Sequence, residues 1–229
     1  MLYELEDCYN FYKYTESKIA DCDIKIESLL HEITLVKKTT QDIKLSKKQK
    51  GKNHIGFDLI KLSYDYYGID LFAIEGVSYN TIMTLISEVG TDIFKFNTHK
   101  QFVKWLRLAP NNKISGGKLI SSRTPKGKNI LALAFRNAAN TIERQKKGQL
   151  YSFFKRIAYK KGRCAAITAT ARKIAIIIWK MCTKKEEYNP MEESIYNEKI
   201  RYQVIKNIQI KMKRIGLSYN DILLNEVHC

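Results

Sequence analysis

The chain has 229 residues and a formal net charge of +17, from 40 Lys and Arg against 23 Asp and Glu. Hydrophobic residues make up 45% and aromatics 11%, enough apolar surface for a packed core, which excludes a mostly disordered chain and fits one or two modest domains. Only 3 Pro and 11 Gly exclude collagen-like and linker-dominated chains, disfavour a turn-rich β-sandwich, and leave a mainly α fold built on long helices.

Residues 1–50 predict a long coiled-coil helix. Leu5, Tyr12, Ile19, Ile26 and Ile33 recur every seven residues, and Cys8, Thr15, Cys22, Leu29, Val36 and Ile43 follow them three residues later. A single amphipathic helix docked on a neighbouring domain is the alternative. Polar, charge-dense residues 44–54, with Gly51, read as a loop or helix end. Residues 55–185 read as a compact basic helical domain. It opens with a short aromatic-rich helix closed by Gly68, a turn through Ile74, Glu75, Gly76, Val77 and Ser78, and a helix that buries Ile82, Leu85, Ile86 and Val89 and ends at Gly90. Two helices around a Gly-containing turn resemble a helix-hairpin-helix, whose turn amides hold a backbone phosphate. That makes Gly76 a candidate DNA contact, with a core-packing hairpin as the alternative and Ser78 standing where a second glycine is usual.

From Thr98 another short helix is expected, with Phe102, Trp105 and Leu106 buried, Lys104 and Arg107 outward, and Pro110 as its stop. Residues 111–129 then form a Gly-, Ser- and Lys-rich loop or small β-hairpin. Three helices follow, expected to bundle around Leu131, Phe135, Phe153, Phe154, Ile157, Ile167, Ile174 and Ile178. Residues 186–229 read as a helical tail.

The charge is not spread evenly. Residues 93–185 carry 23 Lys and Arg and a single acid, Glu143, whereas the rest of the chain carries 17 basic and 22 acidic residues. Concentrating like charge in a folded segment costs self-repulsion that a polyanion relieves, and nucleic acid releases counterions on binding. A basic domain interface or an anionic membrane surface is the alternative. A membrane span is excluded, because the most apolar segment, residues 165–181, carries Arg172 and Lys173 at its middle. No secretory signal opens the chain. The five cysteines, Cys8, Cys22, Cys164, Cys182 and Cys229, form no CxxC pair, have no histidine at metal-ligand spacing, and read as reduced cytosolic thiols; no metal site is expected.

Ser115 precedes Gly116 and Gly117, between Lys113 and Lys118, with Arg123, Lys126 and Lys128 close behind. A hydroxyl on a Gly-rich turn among cations is suited to approach a DNA phosphate as a nucleophile. Ser-Gly-Gly is also ordinary turn composition, the cations alone suffice for binding, and Ser121, Ser122 and Thr124 compete for the role. Arg172 and Lys173 complete the candidate DNA contacts.

Taken in order, SEVGTD, LAPNNKISGGK, AITATA and the closing EKIRYQVIKNIQIKMKRIG resemble the C-terminal half of bacterial insertion-sequence transposases that combine a RuvC-like DEDD domain with a serine domain. The resemblance runs from about Phe57 to about Leu217, and the heptad segment is similar to the coil joining the two domains. It implies a DNA transposase in which Ser115 is the nucleophile, a structured guide RNA selects the target, and the protein works in the bacterial cytoplasm beside the nucleoid. The four acidic metal ligands would come from a DEDD domain preceding the coil, so no cofactor is expected in this chain, and Mg only where such a domain joins it. The chain is therefore expected to be inactive alone, acting as a subunit that joins itself or a full-length transposase through the coil. The alternative is a non-catalytic remnant that binds nucleic acid and associates with or inhibits the full-length enzyme.

Overall fold

In a computed structural model the described residues are 2–34, 45–46, 55–90 and 92–217. They form eight α-helices and one two-stranded antiparallel sheet: α1 (Leu2–Thr34), α2 (Leu59–Tyr67), α3 (Tyr79–Val89), α4 (His99–Trp105), β1 (Lys113–Ser115), β2 (Lys118–Ser121), α5 (Ile130–Gln145), α6 (Gly148–Lys161), α7 (Arg163–Lys184) and α8 (Glu193–Arg214). Short 3₁₀ turns at Leu71–Ala73 and Ile93–Lys95 precede α3 and α4. The mainly helical expectation and the long first helix hold. Val36, Ile43, the loop around Gly51, and Cys229 lie outside the described residues.

Helix starts follow local chemistry. Asp58 accepts from the Ile60 and Lys61 amides, Ser78 from Thr81, Thr98 from Gln101 and Asn129 from Ala132, each satisfying donors that a helix's first turn leaves without a partner. Helix ends are also as read: Gly68 caps α2 by donating to the Tyr64 carbonyl, and Gly90 caps α3 by donating to Ile86. Helix α6 departs from the pattern, since Lys147 at its N-cap makes no side-chain bond. Glu75, from the turn before α3, accepts from the Leu150 amide at 3.3 Å instead. A carboxylate from a distant turn thus satisfies the N-terminus of α6 and pins that turn to the bundle.

Helix α7 is the central element and packs against α4, α5 and α6, while α5 also packs on α3. Small residues make this possible: Ala166, Ala171 and Ala175 of α7 and Ala132, Ala138 and Ala139 of α5 are buried, interleaved with Leu131, Phe135, Ile142, Ile174 and Ile178. Of the residues expected at the bundle centre, Leu131, Phe135, Phe154, Ile174 and Ile178 are buried, whereas Phe153, Ile157 and Ile167 are half-buried. Trp105 differs more. Phe102 and Leu106 are fully buried, but Trp105 retains 37% exposure.

Among the described residues, only the C-terminal end of α1 meets the body. Leu30 and Thr34 are buried, Ile26 is half-buried, and Asp23 accepts from the Gly56 amide at 3.0 Å. Leu5, Tyr12, Ile19, Leu29 and Ile33 of the heptad seam remain exposed. No described helix is long and apolar enough to cross a membrane.

Candidate nucleic-acid interface

Between α4 and α5 the chain leaves the bundle as a hairpin. Arg107 adopts a left-handed backbone (φ 57), and its guanidinium donates to the carbonyl of Lys126, tying the end of α4 to the far side of the loop. The Asn111 amide donates to the Arg123 carbonyl at 2.9 Å and closes the base. Within the hairpin, Ser115 pairs with Lys118 and Ile114 with Leu119. Pairing then slips to Lys113 with Ser121, which leaves Ile120 as the extra residue of a bulge.

The turn consists of Gly116 (φ 54) and Gly117 (φ 73). Two left-handed residues in a two-residue loop are what a type I′ turn demands, and its twist matches that of the strands it joins. This geometry sets the chemistry at the tip. Ser115 and Lys118 flank the turn as a cross-strand pair, so their side chains leave the same face about 5 Å apart at Cβ, while Ile114 and Leu119 leave the other. Nothing lies within 4 Å of where a side chain on either glycine would stand, so the tip is open. Ser115, Gly116, Gly117, Lys113, Lys118, Arg123, Lys126 and Lys128 are all exposed.

The competing hydroxyls are placed differently. Ser121 is half-buried with its oxygen accepting from the Arg123 amide, Thr124 is half-buried, and Ser122 is exposed just past the end of β2, away from the turn. Residues 111–129 hold no His, Asp or Glu. The one acid of the basic block, Glu143, is held by Arg163 in a two-pronged ion pair of 2.6–2.9 Å, and that hydrogen bond keeps its carboxyl below the usual range. Among the described residues no three His, Cys, Asp or Glu side chains come together as a metal-binding group.

The other sequence candidates lie elsewhere. Lys173 sits on α7 with its ammonium 4.6 Å from the Phe153 ring centre and 5.3 Å from that of Tyr196, and Arg156 shares both rings. Burial lowers its pKa, as does the neighbouring Arg156. Arg172 is half-buried, with a buried Nε that has no hydrogen-bond partner among the described residues. Lys173 thus belongs to the junction of α6, α7 and α8. Gly76 (φ 76) is buried in the turn before α3, where an added Cβ would stand 2.5 Å from the Ala138 carbonyl oxygen. The glycine there lets the turn touch the backbone of α5. Ser78, in the position of the usual second glycine, is the N-cap of α3. Sequence reasoning missed Arg107 and Asn111, which set the hairpin on its base. No spacing rule marks them, because a positive φ at arginine and a lone closing amide bond arise from tertiary contacts.

Residues 70–155 match the Transposase IS116/IS110/IS902 family, a stretch that runs from the 3₁₀ turn before α3 through the hairpin and into α6. A curated relative, the transposase for insertion sequence element IS1111A of Coxiella burnetii (strain RSA 493 / Nine Mile phase I), is 28% identical over 120 residues, covering 51% of this chain. No solved structure matches the chain. The chain spans about a third of that relative's length, 33%, and the stretch that matches the insertion-sequence transposase family includes the hairpin that presents Ser115.

Proposed function

We infer that the chain is the serine-bearing part of an insertion-sequence transposase, in which the cationic hairpin grips a DNA backbone and Ser115 supplies the nucleophile. One observation carries this reading. Ser115 stands beside Lys118 at an open Gly-Gly turn, among five exposed cations and no acid, inside the segment that matches the transposase family. Attack of the Ser115 hydroxyl oxygen on a DNA phosphorus forms a phosphoserine ester and expels one deoxyribose oxygen. Lys118 and its neighbours bind the phosphate oxygens and offset the charge that grows on them. The hydroxyl proton passes to a base from outside residues 111–129, and the leaving oxygen takes a proton in turn. A structured guide RNA would engage the same basic block, and an acidic domain would supply any Mg.

Two measurements test this. Affinity for duplex DNA falls steeply between about 50 and 200 mM salt if several phosphates are neutralised, and a flat profile would contradict the binding. With a full-length relative supplied in trans, the wild-type chain forms a covalent protein–DNA adduct, whereas Ser115→Ala binds DNA and forms none; equal adduct from both removes Ser115 from the chemistry.

The exposure of Leu5, Tyr12, Ile19, Leu29 and Ile33 favours a second role, assembly through α1. In that reading the chain pairs with itself or with a full-length transposase along the seam. Light scattering on the chain alone and on a mixture with the full-length relative decides it; a strictly monomeric chain that leaves the relative's mass unchanged excludes the role.

A further inference from the structure

A second feature adjoins the root of the hairpin. Between residues 93 and 107 the sequence places Phe94, Phe96, Phe102 and Trp105 among Lys95, Lys100, Lys104 and Arg107, with no Asp or Glu. The inner rings form a ladder: Phe96 lies 5.1 Å from Phe102 and 5.3 Å from Trp105, and Phe102 stacks on Trp105 at 6.1 Å and 18°. The ladder is anchored to the bundle, since the Trp179 indole donates to the Phe96 carbonyl at 3.1 Å and packs edge-on against His99. Phe102 is fully buried, yet Trp105 is 37% and Phe94 58% exposed, and the Lys95 ammonium stands 5.3 Å from the Phe96 ring centre and 5.8 Å from that of Trp105.

Exposed aromatics gain from a partner with a flat apolar face, and the cations between them from a polyanion. A nucleotide strand with unstacked bases offers both at once, whereas a paired duplex presents phosphates but keeps its base faces covered. Position adds to this, because Trp105 stands two residues before Arg107, which ties α4 to the hairpin. The geometry points to a stacking site for unpaired nucleotides, in which Phe94 and Trp105 receive base faces while Lys95, Lys100 and Lys104 neutralise the sugar-phosphate chain. A single strand lying there leads to the Ser115 hairpin. The site rests on the nucleic-acid reading above and adds to it a preference for strand state.

The full chain is titrated with oligo-dT and oligo-rU of about 15 nucleotides and with a duplex of the same length, with tryptophan emission as the readout. Emission of the wild-type chain is quenched by a single strand, the tighter of the two identifying whether DNA or RNA is the preferred source, and the quenching is lost in Trp105→Phe, which keeps the ring packing and leaves Trp179 as the emitter. Phe94→Leu and Trp105→Leu keep apolar bulk without an aromatic face; with affinity read from the anisotropy of end-labelled oligonucleotides, each weakens single-strand binding about 10-fold and changes duplex binding by less than about two-fold. Thermal melts of both variants by circular dichroism confirm the fold. Leu variants that bind both single strands as the wild type does, or emission indifferent to them, overturn the stacking site even where duplex affinity still falls with salt. Loss of that salt dependence in the wild type would instead overturn the underlying nucleic-acid reading.

Discussion

Gly76→Ala separates packing from phosphate contact at the turn before α3. At φ +76 an alanine pays a left-handed backbone penalty of about 1–2 kcal/mol. Its methyl would also stand 2.5 Å from the Ala138 carbonyl oxygen and 2.7 Å from Cγ1 of Ile142. Neither is the free end of an exposed side chain: one is helix backbone and the other belongs to the fully buried Ile142, so α3 and α5 must move apart. Forced repacking of this kind adds about 1–3 kcal/mol. The sum is about 2–5 kcal/mol, and in a chain of this size it lowers the melting temperature by about 4–20 °C. Gly116→Ala is the control. It bears a similar backbone penalty, but nothing lies within 4 Å of the new methyl, and the hairpin it strains buries little of itself. Its cost stays local, and the melting temperature of the bundle holds. Thermal and urea denaturation followed by circular dichroism measure both. A Gly76→Ala chain that melts with the wild type but binds DNA less tightly would refute the packing account and restore Gly76 as a phosphate contact.

Glu75→Gln keeps the shape and an acceptor oxygen but removes the charge at the start of α6, so stability falls by about 1 kcal/mol in urea titration; an unchanged midpoint would end the capping role. Burial pushes the Cys182 thiol up to about 12, so native alkylation at mild alkaline pH followed by peptide mapping labels exposed Cys164 and spares Cys182, and equal labelling would contradict the burial. Arg163 lowers the Glu143 pKa, so their pairing contributes fully above the ordinary glutamate value of 4.5 and fades as pH falls through the depressed folded value. The melting-temperature gap between wild type and Glu143→Gln therefore closes on acidification from neutrality to below that value, and a gap that stays constant removes the pair as its source.

What the sequence disclosed depended on how local the cause was. Asp58, Ser78, Thr98 and Asn129 cap helices through neighbours two or three residues away, so those starts are legible from residue type and spacing. The hairpin was legible as a choice between loop and strand pair, because Gly-Gly between short apolar-basic runs serves either. Glu75 is different: its partner is the amide of Leu150, 75 residues away, and nothing near either residue announces the bond. Lys173 shows the same limit, since its position in a basic run says phosphate while the fold sets it between Phe153 and Tyr196. Spacing with Phe102 marks Trp105 as core, and it does stack on that ring, but it sits in the last turn of a seven-residue helix at the rim of the bundle, where neighbours cover only part of it.

Helix α1 shows how one apolar repeat divides between two surfaces. Its docked stripe is Asp23, Ile26, Leu30 and Thr34, whereas the heptad places Leu29 and Ile33 at the seam. At 100° per residue, Leu29 and Ile33 are turned roughly 60–100° around the axis from Leu30, so the two stripes adjoin and share only Ile26. A straight helix drifts about 20° per heptad against a seven-residue repeat, so toward the N-terminus Tyr12 and Leu5 rotate onto the line of Leu30. There the helix has passed beyond the body, and both remain exposed. A partner helix following the seam would therefore cross from the open side of α1 near Ile33 to the line of the docked face near Leu5, without displacing Leu30 or Thr34. Docking onto α2 and pairing along the seam are thus compatible on one helix, and assembly would leave the hairpin and its bundle as they stand.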